Sequence, residues 1–106
     1  MYLYEIQFKY MDALNEPSHT AQVVVYDSET LDGDRFSRAM EQADETSNYT
    51  EVDKLLAPLE VKDEDVCFYY DIASVGDELT KWGKLVPELQ ESFEIHINDI
   101  DLITEV

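Results

Sequence analysis

With 106 residues, 44 % of them hydrophobic and 11 % aromatic, the chain has material for one domain with a real core, which excludes a disordered acidic tail. Its 25 Asp and Glu against 7 Lys and Arg give a net charge of −18, well past the magnitude of about 2–8 that keeps a small domain soluble. Nucleic acid and anionic membrane are therefore poor direct partners, because both would be repelled.

The excess is not confined to a tail. Residues 1–26 carry a net −2, residues 27–65 a net −9 and residues 66–106 a net −7. Duplex DNA holds about one charge per 1.7 Å of axis, so this charge corresponds to roughly 30 Å of duplex. A compact chain of this length is about 33 Å across, which matches that span. The single cysteine, Cys67, permits no internal disulfide, which favours a reducing compartment. Met1-Tyr2-Leu3-Tyr4-Glu5 has neither the basic start nor the apolar run of a signal peptide, and no stretch is long enough to span a membrane. The expected location is the cytoplasm.

Taken in order, Tyr2, Tyr4, Ile6, Phe8 and Tyr10 alternate with Leu3, Glu5, Gln7, Lys9 and Met11, which predicts a first strand. Asn15, Pro17 and Ser18 break the pattern in a loop running to His19. Thr20 to Tyr26, with Val23, Val24 and Val25, restores it as a second strand, antiparallel to the first. From Asp27 the period changes. Phe36, Ala39, Met40 and Ala43 at i, i+3, i+4 and i+7 predict an amphipathic helix over about Asp34–Thr46, capped by Asp32 or Asp34. Glu41, Asp44 and Glu45 fall on its opposite side with Arg38 alone among them.

Asn48 followed by Glu51 suggests a capping box for a short helix carrying Val52, Leu55 and Leu56, ended by Ala57-Pro58. Asp63-Glu64-Asp65 then forms an acidic turn into Val66–Ile72, predicted as the central strand because both of its faces carry aromatic or sulfur-containing groups. Ser74 or Asp77 is expected to cap a helix reaching about Glu91, broken or kinked at Gly83 and Pro87. Phe93, Ile95 and Ile97 alternate as a further strand. Asn98-Asp99 is expected to turn the chain before Ile100, Leu102 and Thr104 form the last one.

Few residues suggest chemistry. Glu60-Val61-Lys62 has the acid-x-Lys form that restriction-type nucleases place on a strand, with Asp53 as an upstream acid to share Mg²⁺. The plainer reading is a surface turn, since a polyanionic substrate would be repelled. Asp63-Glu64-Asp65, Asp32-Gly33-Asp34 and Asp99-Ile100-Asp101 suggest Ca²⁺, but Leu31 stands where a calcium loop needs an oxygen donor. His19 and His96 lack a companion at zinc spacing, Cys67 lacks a basic neighbour, and Trp82 is expected in the core. Neither a metal nor a cofactor is expected.

The fold class expected is therefore a single α+β domain over residues 1–106. It should have a mostly antiparallel sheet of four or five strands with two or three helices on one face, as a monomer or homodimer. No motif marks a family. In size, acidity and lack of catalytic residues the chain resembles the small phage proteins that inhibit DNA-handling enzymes by imitating DNA. That resemblance implies a non-enzymatic inhibitor of a basic nucleic-acid-binding protein, such as a restriction, repair, recombination, CRISPR-type or DNA-packaging protein. The carboxylates expected to make the contact are Asp32, Asp34, Glu41, Asp44, Glu45, Asp63, Glu64 and Asp65. The alternatives are an immunity protein or antitoxin against a basic nuclease, and a subunit whose charge only solubilises it.

Overall fold

Strict alternation makes the first two strands. A computed structural model of the chain describes residues 1–62, 67–72 and 82–106. Strand β1, Tyr2–Tyr10, and strand β2, His19–Tyr26, pair antiparallel from Tyr2 opposite Val25 to Phe8 opposite His19. Side chains point alternately to the two faces of a sheet. Tyr4, Ile6 and Phe8 accordingly meet Ala21, Val23 and Val25 on one face, while Leu3 and Val24 are buried on the other.

Strand β3, Cys67–Asp71, lies parallel to β2, and strand β4, Ile95–Glu105, lies antiparallel to β1. The order β3-β2-β1-β4 makes a four-stranded mixed sheet, mostly antiparallel, in one α+β domain. The expected central strand is in fact an edge. Phe68, Tyr70 and Ile72 pack on one face and Cys67 and Tyr69 on the other. An edge strand sandwiched between helices therefore shows the same two-sided apolar pattern as a central one.

The helices are divided between the faces instead of sharing one. Helix α1, Leu31–Thr46, helix α2, Thr50–Leu56, and a 3-10 turn at Ala57–Leu59 cover the Leu3 and Val24 side through Phe36, Ala43, Val52, Leu56 and Leu59. Helix α3, Trp82–Phe93, covers the other through Leu89 and Phe93. The inner strands present apolar groups on both sides, so each side must be covered to take them from water. Of the break or kink expected at Gly83 and Pro87, no break occurs: α3 is one helix from Trp82 to Phe93 with Pro87 inside it. Ser74 and Asp77, the expected caps, lie outside the described residues.

Local chemistry fixes the entrance to α1. Its cap is Thr30, not Asp32 or Asp34: the Thr30 hydroxyl oxygen accepts from the Gly33 amide at 3.1 Å and donates to the Asp27 carbonyl at 2.8 Å. Asp32 and Asp34 occupy the first turn, where the helix dipole favours negative charge. At the far end Ser47 turns left-handed, φ 59°, and returns its amide to the Ala43 carbonyl at 2.7 Å. The capping box at α2 does not form; the Asn48 side chain instead accepts from the Thr50 amide and hydroxyl.

The expected turn at Asn98-Asp99 is absent, and β4 is one strand of 11 residues. Its register against β1 skips Asn98, between Gln7–Asp99 and Phe8–Ile97, and skips Ile103, between Leu3–Thr104 and Tyr4–Leu102. Each skip is an extra residue on an edge strand, a bulge, and the first of them, at Asn98-Asp99, displays the same polar residues as a turn. Asn98 Nδ2 donates to Ser18 Oγ at 2.9 Å, which holds the first bulge against the β1–β2 connection.

Candidate functional site

Five of the expected contact residues stand on α1. Phe36 and Ala43 anchor one side of that helix, so residues about half a turn away face solvent. Glu41 and Glu45 are exposed there, with half-buried Asp34 in line. At 1.5 Å per residue, Glu41 and Glu45 are about 6 Å apart along the axis and Asp34 and Glu41 about 10 Å. Arg38 sits among them and its Nε pairs with Asp34 Oδ2 at 3.2 Å. Asp44 lies on the flank, where it accepts from the Tyr49 hydroxyl at 3.4 Å, and Asp32 is exposed at the first turn. Asp32, Glu41 and Glu45 belong to no ion pair among the described residues. These carboxylates are fixed on a rigid element and unneutralised, apart from Asp34.

Asp63, Glu64 and Asp65, the remaining three, lie outside the described residues. The chain just before them is well anchored: the amide of Lys62 donates to Oε1 of Gln22, a buried side chain of β2, at 2.9 Å. Beside this anchor Asp53, Glu60, Lys62, Cys67 and Tyr69 line a hollow of about 480 Å³. The residues of the nuclease-like pattern are thus neighbours, but not on a strand. Glu60 caps the 3-10 turn in a left-handed conformation, φ 54°. No group of three or more His, Cys, Asp or Glu among the described residues is placed to hold a metal ion. Burial first, and then contact with Cys67, pushes the Tyr69 phenol up to about 12, so at neutral pH it is an uncharged wall of the hollow. Cys67 is half-buried and forms no disulfide.

The sheet gathers a second set of acids that the sequence did not reveal. Pairing of β1 with β4 puts Glu5 directly opposite Asp101 and Gln7 opposite Asp99, on the face away from Tyr4 and Ile6. Directly opposed like charges on neighbouring strands destabilise a sheet. Lys9 opposite His96 supplies the nearest cation along these rungs. Only the register brings these carboxylates together, since Glu5 is separated from Asp101 by most of the chain. A further hollow, lined by Met11, Asp12, Gln90, Glu91 and Glu94, shows that negative groups also stand near the end of α3.

His19 opens β2, beside the Glu16 carboxylate at 3.6 Å, and His96 is exposed on β4. The side chain of Trp82 lies outside the described part of the structure. Among the described residues no helix is long and apolar enough to cross a membrane. No protein-family model matches the chain, and neither a curated protein nor a solved structure matches it.

Proposed function

We propose that this protein is a non-enzymatic inhibitor whose carboxylates imitate nucleic-acid charge and occupy the basic groove of a DNA- or RNA-binding protein in the cytoplasm. The observation that carries this reading is the outward row of α1, Asp34, Glu41 and Glu45 with Asp32 and Asp44 beside it, held by a buried Phe36 and Ala43. Negative charge on a rigid body is presented to Lys and Arg with little ordering cost, as phosphates are on a duplex. The longest axis of the protein, 38 Å, is comparable to the roughly 30 Å of duplex that carries equal charge. The 6 Å step from Glu41 to Glu45 spans about two phosphate intervals of a strand at 3.4 Å each.

The test is capture from an extract of the source cells on the immobilised protein, eluted with rising salt, followed by competition with a short DNA duplex. The captured proteins should be basic nucleic-acid binders, released by salt and displaced by the duplex. Single amide substitutions on α1 should matter little, because an exposed pair contributes about 0.2–1 kcal/mol. Replacing Asp32, Asp34, Glu41, Asp44 and Glu45 together should weaken binding by about 10- to 100-fold, since 1.4 kcal/mol is tenfold. Equal capture by that fivefold variant, or a captured protein indifferent to duplex DNA, would sink the reading.

A further inference from the structure

Among the described residues the outer edge of β4 has no neighbouring strand, and its polar groups are unevenly occupied. Met1 and Val106 exchange both backbone hydrogen bonds, at 2.7 and 2.8 Å, which sets the phase of the β1–β4 ladder. Bonded and non-bonded rungs alternate in an antiparallel pair. Beyond Ile95, which is fully buried opposite Tyr10, the β4 residues opposite the even-numbered β1 residues, namely Ile97, Ile100, Leu102 and Glu105, therefore turn their amides outward. Two of these four are satisfied by side chains. Ile97 N donates to Gln90 Oε1 and Ile100 N to Asp99 Oδ1, each at 2.9 Å. Leu102 and Glu105 have no such cover among the described residues.

The side chains around that open end carry one sign of charge. From Glu94 to Val106 the chain has four acids and neither Lys nor Arg. Asp99 and Asp101 stand on one face of the strand, next to Glu5, while Glu105 stands on the other next to Tyr2. Leu102 and Ile103 are 46 % and 53 % exposed, so apolar surface accompanies the unpaired backbone. A second copy of the chain is a poor occupant. Two-fold antiparallel pairing that brings the outward groups of Ile100 and Leu102 together is centred on Asp101 and sets that carboxylate directly against Asp101 of the other copy, and like charges directly opposite are unfavourable.

We propose that the edge of β4 from Ile100 to Glu105 receives an extended segment of another protein as a fifth strand, with Lys or Arg at alternate positions beside Asp99 and Asp101. Backbone bonds to Leu102 and Glu105 supply the docking and the carboxylates select the charge of the guest. This surface is separate from α1, so its existence does not depend on the nucleic-acid mimicry proposed above.

The probe is a synthetic heptapeptide of alternating Lys and Val, added to the intact protein while amide hydrogen exchange is followed by nuclear magnetic resonance. The amides of Leu102 and Glu105 should exchange about tenfold more slowly at saturating peptide, with α1 amides unchanged. A peptide with Glu in place of Lys should give no protection. One N-methylated at alternate residues, which keeps the charge but loses one edge of donors, should give none either. Asp99→Asn with Asp101→Asn should weaken the Lys peptide at least about fivefold with the fold intact. Leu102→Pro should abolish its protection at Glu105, proline being tolerated on an edge. Equal binding of the N-methylated peptide, or protection confined to α1, would show attraction by charge alone and overturn the proposal. So would slow exchange at Leu102 and Glu105 that appears without peptide as protein concentration rises, because a second copy would then be the occupant.

Discussion

Replacing Gly33 by alanine has two opposed consequences, and the structure decides between them. Gly33 is the third residue of α1, and alanine is better than glycine within a helix by about 1 kcal/mol, so in open space the substitution would stabilise the protein. The space is not open. A Cβ on Gly33 would lie 1.5 Å from the Asp27 carbonyl oxygen, 2.1 Å from its carbon and 2.9 Å from the Ser28 nitrogen, all of them backbone atoms that no rotamer can move. The Asp27 carbonyl must retreat by roughly 2 Å to reach ordinary contact. Doing so breaks its bonds from the Thr30 amide, 3.1 Å, and the Thr30 hydroxyl, 2.8 Å. Two hydrogen bonds at about 1 kcal/mol each and overpacking of about 1–3 kcal/mol outweigh the gain in propensity. The expected net loss is about 2–4 kcal/mol. With a urea slope of about 1–1.5 kcal/mol/M, Gly33→Ala should unfold some 2 M earlier than the parent protein in equilibrium denaturation followed by circular dichroism. A midpoint equal to or above that of the parent would refute the close approach of the Asp27 loop to α1.

Three further perturbations probe other parts of the molecule. Phe36→Ala removes a fully buried ring that meets Tyr26 and Tyr69 edge-on or tilted, and should cost about 3–5 kcal/mol in the same denaturation assay. Asp101→Asn relieves its opposition to Glu5 and should stabilise the protein by about 0.2–1 kcal/mol at low ionic strength, a gain that shrinks when salt is added. The raised Tyr69 phenol predicts a window at alkaline pH: the unfolded chain ionises this group near 10, the folded one only near 12, so its contribution is complete below pH 10 and is lost as pH rises toward 12. Tyr69→Phe should make the fall in urea midpoint between pH 10 and pH 12 shallower, and identical slopes in the two proteins would contradict the assigned cause.

Periodicity, composition and charge determined a good deal by themselves. The alternation of Tyr2 to Tyr10, the valines of β2 and the spacing of Phe36, Ala39, Met40 and Ala43 are local patterns, and local patterns suffice to name an element and its buried side. They also sufficed to put Glu41, Asp44 and Glu45 on the outside of α1, because a helix with one apolar face has only one other. Caps were less legible. Thr30, Asp32 and Asp34 are all competent cap residues, and what selects Thr30 is the carbonyl of Asp27 folded back over Gly33, a contact made by the loop.

Strand order, the division of helices between two faces and the meeting of Glu5 with Asp101 were decided only by tertiary structure. A strand buried on both sides has the same sequence whether its neighbours are two strands or one strand and a helix. Polar residues at Asn98-Asp99 read the same in a turn as in a bulge. Cross-strand charges are paired by register, which the chain fixes through the burial of Tyr4, Ile6 and Phe8 against residues far away in sequence, not through the charges themselves.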